Sequence, residues 1–289
     1  MLKTVVGLAR VFALGSALCA VGNARVATAI NLDFEGPTYA VGTLLGQDGW
    51  ATNGYVTADP FFGGTTNGTV NVSASNPLAG IQSVLYNQTA IPPGAGNTGA
   101  SDVGKAAAIV GNEHGTSAID LTASFLIQTN DNAVGAANNG SMGFFLGQGG
   151  RSPIILLLVN AGPTTGDILI GDAGGLPDKG DFKGDDVLEI TIGVDLDGQN
   201  YDVSVRNVTA GTPLTALTGS GPGGRFPFFG GTITDDGNGV SYTLDTSLLL
   251  RSGVGRIDAI NVVTIPEPAT AGLALATLVA SGLCRRRSQ

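Results

Sequence analysis

Carboxylates are the side chains in this sequence with the widest chemical reach. There are 23 acids against 14 bases, one histidine and two cysteines. Asp178, Asp181, Asp185 and Asp186 crowd one Gly-rich stretch, and Asp235-Asp236-Gly237-Asn238 forms a second. Hard oxygen ligands of this kind suit calcium, but neither run has the spacing of an EF-hand loop. The plainer reading of both is a solvated turn. Sugar hydrolysis needs two carboxyl groups at a set separation, one with a raised pKa. Besides Glu35 and Glu267, the glutamates are Glu113 and Glu189, and no compact Glu-x-Asp-x-x-Glu strand joins them. Glu189 reads as an outward strand residue. His114, beside Glu113, is the one imidazole that titrates near neutrality. In Gly111-Asn112-Glu113-His114-Gly115 it reads as an exposed loop residue. No Gly-x-Ser-x-Gly elbow marks a serine nucleophile. Gly147-Gln148-Gly149-Gly150 and Gly221-Pro222-Gly223-Gly224 lack the Lys-Ser/Thr of a nucleotide loop and read as turns.

Binding without catalysis is the other chemistry on offer. Exposed aromatic rings can stack on the C–H faces of a pyranose. The candidates are Trp50, Tyr55, Phe61 and Phe62, and the cluster Phe226, Phe228 and Phe229. Aromatics make up only 6% of the chain, so several of these must also serve a core.

These side chains need a scaffold, and the sequence predicts a β one. Glycine recurs among Asn, Asp, Thr and Ser, which is turn chemistry between short strands. The clearest element is a hairpin. Leu188, Ile190, Ile192 and Val194 alternate with polar or small residues, Asp197-Gly198-Gln199-Asn200 turns the chain, and Tyr201, Val203 and Val205 resume the alternation. Further strands are expected over 121–128, 142–146, 154–159, 167–170, 240–246 and 256–263, with earlier ones over 30–34, 70–73, 81–86 and 107–110. The run 154–159 is continuously apolar, as in a strand buried on both faces. About ten strands with Gly-rich connections imply two packed antiparallel sheets in a single domain.

Both ends of the chain read as targeting devices. Lys3 and Arg10 precede an apolar segment at 11–21, and Ala27-Thr28-Ala29 places small residues where a signal peptidase reads them. Residues 1–29 are thus expected to be a signal peptide cut after Ala29. Leu18 before Cys19 breaks any lipobox. At the other end, residues 269–284 form an apolar run of 16 residues without a charge. As a helix it would be about 24 Å long, slightly under a ~30 Å hydrocarbon core. Arg285, Arg286 and Arg287 close that gap by snorkelling, and they hold their end in the cytoplasm with the body outside.

Pro266-Glu267-Pro268, the apolar helix and the arginine cluster, in that order, resemble the PEP-CTERM sorting signal of exported bacterial proteins. The resemblance covers residues 264–289. It implies recognition and removal of the tail by an exosortase, transient anchoring in the inner membrane, and a final place at the cell surface or outside, often alongside exopolysaccharide. The body, 30–263, is then what matures. Both cysteines, Cys19 and Cys284, lie in the ends, so the body has no disulfide framework and no thiolate zinc site. Six of the 14 bases also lie in the ends, and of the 23 acids only Glu267 does, leaving 8 bases against 22 acids and a net charge of −14. Such a surface repels nucleic acid.

Residues 121–263 are similar to the concanavalin-A-like, laminin-G-like jelly-roll group. The hairpin from Val194 through Gly198 to Val203, the closing strand Arg256-Ile257-Asp258-Ala259-Ile260, and the opening Asp33-Phe34-Glu35 with Gly46-Gln47-Asp48-Gly49-Trp50 carry the likeness. It implies an all-β jelly-roll sandwich. It also implies that Glu35 near the first strand and Asp258 on the last meet around a structural calcium, as in sugar-binding jelly rolls. The expected function is a non-enzymatic protein of the cell envelope or extracellular matrix. A carbohydrate-binding module is the alternative, and a polysaccharide-active enzyme the second alternative.

Overall fold

The computed structural model describes residues 29–52, 69–88, 101–110, 119–130, 141–148, 151–160, 165–234 and 241–264. The chain divides into two compact units, one of Met1–Ala27 with Ile265–Gln289 and one of Thr28–Thr264, and the described residues belong to the second. Outside the described residues lie Ala27, Pro266, Glu267, Pro268, Arg285, Arg286, Arg287 and the expected helix over 269–284. So do Tyr55, Phe61, Phe62, Glu113, His114, Asp235 and Asp236.

Alternating apolar residues build strands, and the strands make an all-β sandwich. In chain order they are β1 (Ala29–Leu32), β2 (Gly42–Thr43), β3 (Ala51–Thr52), β4 (Thr69–Ser73), β5 (Ser83–Gln88), β6 (Ser101–Val110), β7 (Leu121–Asn130) and β8 (Ser141–Gln148). Then come β9 (Arg151–Asn160), β10 (Thr165–Ile170), β11 (Asp178–Lys183), β12 (Val187–Asp195), β13 (Asn200–Asn207), β14 (Thr215–Ala216), β15 (Phe226–Pro227) and β16 (Ser241–Thr264). The one helical turn among the described residues is Pro222–Gly224.

All pairings among these strands are antiparallel, and they form two sheets. The first sheet runs β2–β4–β5–β16–β7–β12–β13, with β14 and β15 beyond β13 and β1 beside β16. The second runs β3–β6–β16–β8–β9–β10–β11. Strand β16 belongs to both. Its first half pairs with β6 and β8, and its second half with β5, β7 and β1. The sequence reads here as two strands, 240–246 and 256–263. The structure has one strand, because each half finds partners on a different sheet.

The expected hairpin is β12–β13. Leu188, Ile190, Ile192 and Val194 are buried, as are Tyr201, Val203 and Val205 across from them. The glycine of the turn sits in a close approach: a Cβ on Gly198 would overlap the Asn200 amide and the Asp195 carboxylate, which accepts the Gly198 N–H at 2.6 Å. Inner faces of the two sheets meet at Phe125 of β7 and Phe144 of β8, stacked with centroids 4.2 Å apart. Each such fully buried side chain stabilises the sandwich by about 1.5–3 kcal/mol. The apolar run on β9 is buried on both faces. Ile154, Leu156 and Leu158 enter the main core, while Ile155 and Leu157 join Phe145 in a smaller cluster on the outside of the second sheet.

Candidate functional site

Period-two alternation gives the first sheet an outer face on which polar side chains mix with Leu85, Leu126, Val187 and Val263. On β7 it presents Thr122, Ser124 and Gln128, each half-buried. Cross-strand register then sets them in rows. Gln128 lies opposite Arg256 of β16. Ser124 lies between Asn261 of β16 and Thr191 of β12. Glu189 of β12 lies opposite Arg206 of β13, and the two form an ion pair. Glu189 is thus the outward strand residue expected, held by a cation. Gln128 Nε2 donates to the Asp185 carbonyl at 2.7 Å, and its Oε1 faces Arg256 at 3.5 Å. Arg256 Nε is buried and has no hydrogen-bond partner among the described residues. A planar donor beside amide and hydroxyl rows is suited to the paired hydroxyls of a sugar ring.

One end of this face is roofed by two short segments, 33–36 and 77–82. Asp258 projects into that corner and is only 1% exposed. Its Oδ2 accepts the Ala79 N–H at 2.8 Å, and its Oδ1 accepts the Ala259 N–H at 2.7 Å. Ala259 has a φ of +51°, at the irregularity where the β16–β7 register shifts between Asp258 and Asn261. The register between β16 and β5 sets Ile257 against Val84, next in the chain to Asp258 and Ser83 respectively. Glu35 reaches the same roof. Its Oε1 accepts from Ile81 N at 2.6 Å and Gln82 N at 3.1 Å. Gly80 lies so close to this carboxylate that a Cβ there would overlap Oε1. Burial pushes the Asp258 carboxyl up to about 6; the amides of Ala79 and Ala259 work against that shift, while the charges of Glu35 and Asp33 add to it.

Hydrogen bonds tie Glu35 and Asp258 to the amides of 79–82, and the charges of Asp33 and Glu35 act on Asp258. Gln82 Oε1 and Ser83 Oγ are buried without hydrogen-bond partners among the described residues. The acids whose carboxylate oxygens lie close enough together to share one ion are, among the described residues, Asp167, Asp178 and Asp181, not the Glu35–Asp258 pair at which the family likeness implies a structural calcium.

Other sequence expectations fare differently. Trp50 is 1% exposed, packed against Phe34 and Tyr39, and it donates its indole N–H to the Tyr39 hydroxyl. Phe226 is 0% exposed and Phe228 9%, both packed on Tyr201. Phe229 is half-buried against the Phe145–Ile155–Leu157 cluster. Trp50, Phe226 and Phe228 are core and Phe229 is near-core, so these four are not the exposed rings that a glycan platform needs, and the expectation is corrected for them.

The four aspartates of 178–186 do not form one site either. Asp178 and Asp181 lie on β11 and meet Asp167 of β10, their carboxylate oxygens all within 4.8 Å. Asp186 turns away to accept from Lys183 N at 2.9 Å and Asn207 Nδ2 at 2.6 Å. The stretch expected as a loop is an edge strand, zipped to β10. The polar face itself escaped sequence reading. Its one signal was the outward half of the alternation, which solvent exposure explains equally well.

No family model matches the chain, and no curated protein does. Among solved structures, it is similar to the CBM2 module of an evolved Dit from Lactobacillus casei BL23 phage J-1, at 12% identity and a TM-score of 0.45, over 84% of this chain and 97% of that one. It is similar to the globular domain of T. cruzi calreticulin at 12% identity and a TM-score of 0.44, over 86% and 98%. It is also similar to the lectin UEA-II complexed with galactose, at 11% identity and 0.42, over 82% and 98%. A sialidase matches 74% of this chain, but the chain spans 17% of that protein's length.

Proposed function

We propose that this chain is an exported envelope protein whose sandwich body binds carbohydrate without transforming it. The observation that carries the reading is the outer face of the first sheet, where the Arg256 guanidinium lies beside the Gln128 amide and the Ser124, Thr191 and Asn261 side chains share the next row. The body's net charge of −14 favours a neutral polymer over an anionic one. Affinity electrophoresis through a panel of neutral polysaccharides tests the reading. The body is expected to be retarded by at least one polymer, with Arg256→Ala and Gln128→Ala each weakening retention about tenfold. Equal retardation of all three proteins removes this face as the site. Release of reducing sugar from the same polymers would instead mark an enzyme.

Delivery is proposed to follow the PEP-CTERM route, with signal peptidase, inner membrane and exosortase met in turn. The compact unit Thr28–Thr264 begins two residues before the expected cut after Ala29 and ends two residues before Pro266, which supports reading the ends as appended signals. Intact mass of the protein from its native host should show a species beginning at Ile30 and ending near Pro266. A species that retains Arg287 means that the tail stays as a permanent anchor.

A further inference from the structure

Strand β1 begins at the expected cut site. Ala29 pairs with Val263, Ile30 with Val262, Asn31 with Asn261 and Leu32 with Ile260. The Ala29–Ile30 bond therefore lies inside an antiparallel ladder. Leu32 and Phe34 pin the strand just beyond it, both buried in the main core. A peptidase that reads small side chains at Ala27 and Ala29 must take this segment up as an extended strand and pair with its backbone. In the folded body β16 already holds that backbone.

We propose that the signal peptide is cut before β1 docks on β16, and that docking closes the cut site. This rests on the export reading above. The step itself is a hydrolysis: water adds across the Ala29–Ile30 amide, leaving a carboxylate on Ala29 and an amine on Ile30. Residues 30–32 keep their pairing with β16, so the released strand completes the sheet. A precursor that folds first is cut only when β1 opens, a local event set by the anchoring of Leu32 and Phe34. Val263 pairs with Ala29, so the last residues of β16 lie beside the first residue of β1.

Cell-free synthesis of the full chain into phosphatidylethanolamine–phosphatidylglycerol liposomes tests this order. Signal peptidase is present during synthesis in one arm and added after folding in the other. The folded precursor should be cut at least about ten-fold more slowly than the nascent chain. A variant with six Gly/Ser residues inserted between Ala29 and Ile30 leaves β1 and its core anchors intact while moving the cut site out of the ladder. In folded form it should be cut at the nascent rate. Leu32→Ala, which loosens the anchor, should fall between. Equal rates for folded and nascent wild type overturn the proposal, as does an insertion variant that stays slow. A nascent chain that is not cut after Ala29 at all refutes the export reading itself, and the order with it.

Discussion

Asp258 is held where burial and two neighbouring carboxylates act against its ionised form. Its folded pKa is raised from the ordinary 3.8 to about 6, so the folded protein holds this proton more tightly than the unfolded chain. The sign follows from linkage. The stabilisation is fully present below about pH 3.8 and is lost as pH rises through 6. In chelator, urea unfolding should therefore show wild type losing stability relative to Asp258→Asn between pH 4.5 and 6.5. Millimolar calcium in place of chelator should leave the trend unchanged, since the acids within ion-sharing distance among the described residues are Asp167, Asp178 and Asp181; a reversal at the upper pH that is absent from Glu35→Gln would instead place an ion at Glu35 and Asp258. A wild-type difference that does not move with pH would mean the carboxyl is not buried as described. The residue types at this corner were legible in the sequence, and their meeting was an expectation of family likeness. Exposure was not legible: Trp50, Phe226 and Phe228 have the chemistry of a sugar platform, but burial assigns them to packing.

At the scale of elements, the β12–β13 hairpin was readable because its alternation is strict on both arms. What holds its tip was not. Asp195 is fully buried at the turn and pairs with Arg225, 2.6 Å away and 30 residues later, whose Nε also lies 3.4 Å from Asp202. Removing the cation leaves a buried carboxylate without its partner. Arg225→Ala should destabilise the body by about 3 kcal/mol, read as a lowered urea midpoint at unchanged slope. A loss below about 1 kcal/mol would place this pair among ordinary surface bridges. Two other elements were misread for a related reason. β11 is rich in charge and glycine, so nothing local makes it a strand; its pairing with β10 does. β16 was expected as two strands, 240–246 and 256–263, yet pairing of Ser252 with β8 and Gly253 with β5 keeps the chain extended between them.

For the molecule as a whole, β16 decides how the body unfolds. Both sheets share it, so neither can lose its central strand without the other. Trp50, the single tryptophan, is buried in the common core, next to β3 of the second sheet. Urea unfolding followed by its fluorescence and by far-UV circular dichroism should give one coincident transition. Two separated transitions would show the sheets to be independent, contrary to a shared strand.

The amino-acid sequence by itself determined the β class, the thiol-free acidic body and the alternation of the central hairpin, since these follow from composition and from patterns a few residues long. The tertiary structure alone decided which acids meet, which rings are buried and where β16 passes between sheets. Those depend on pairings between residues tens to hundreds of positions apart, such as Asp258 with Ala79, and no local pattern encodes the register that brings them together.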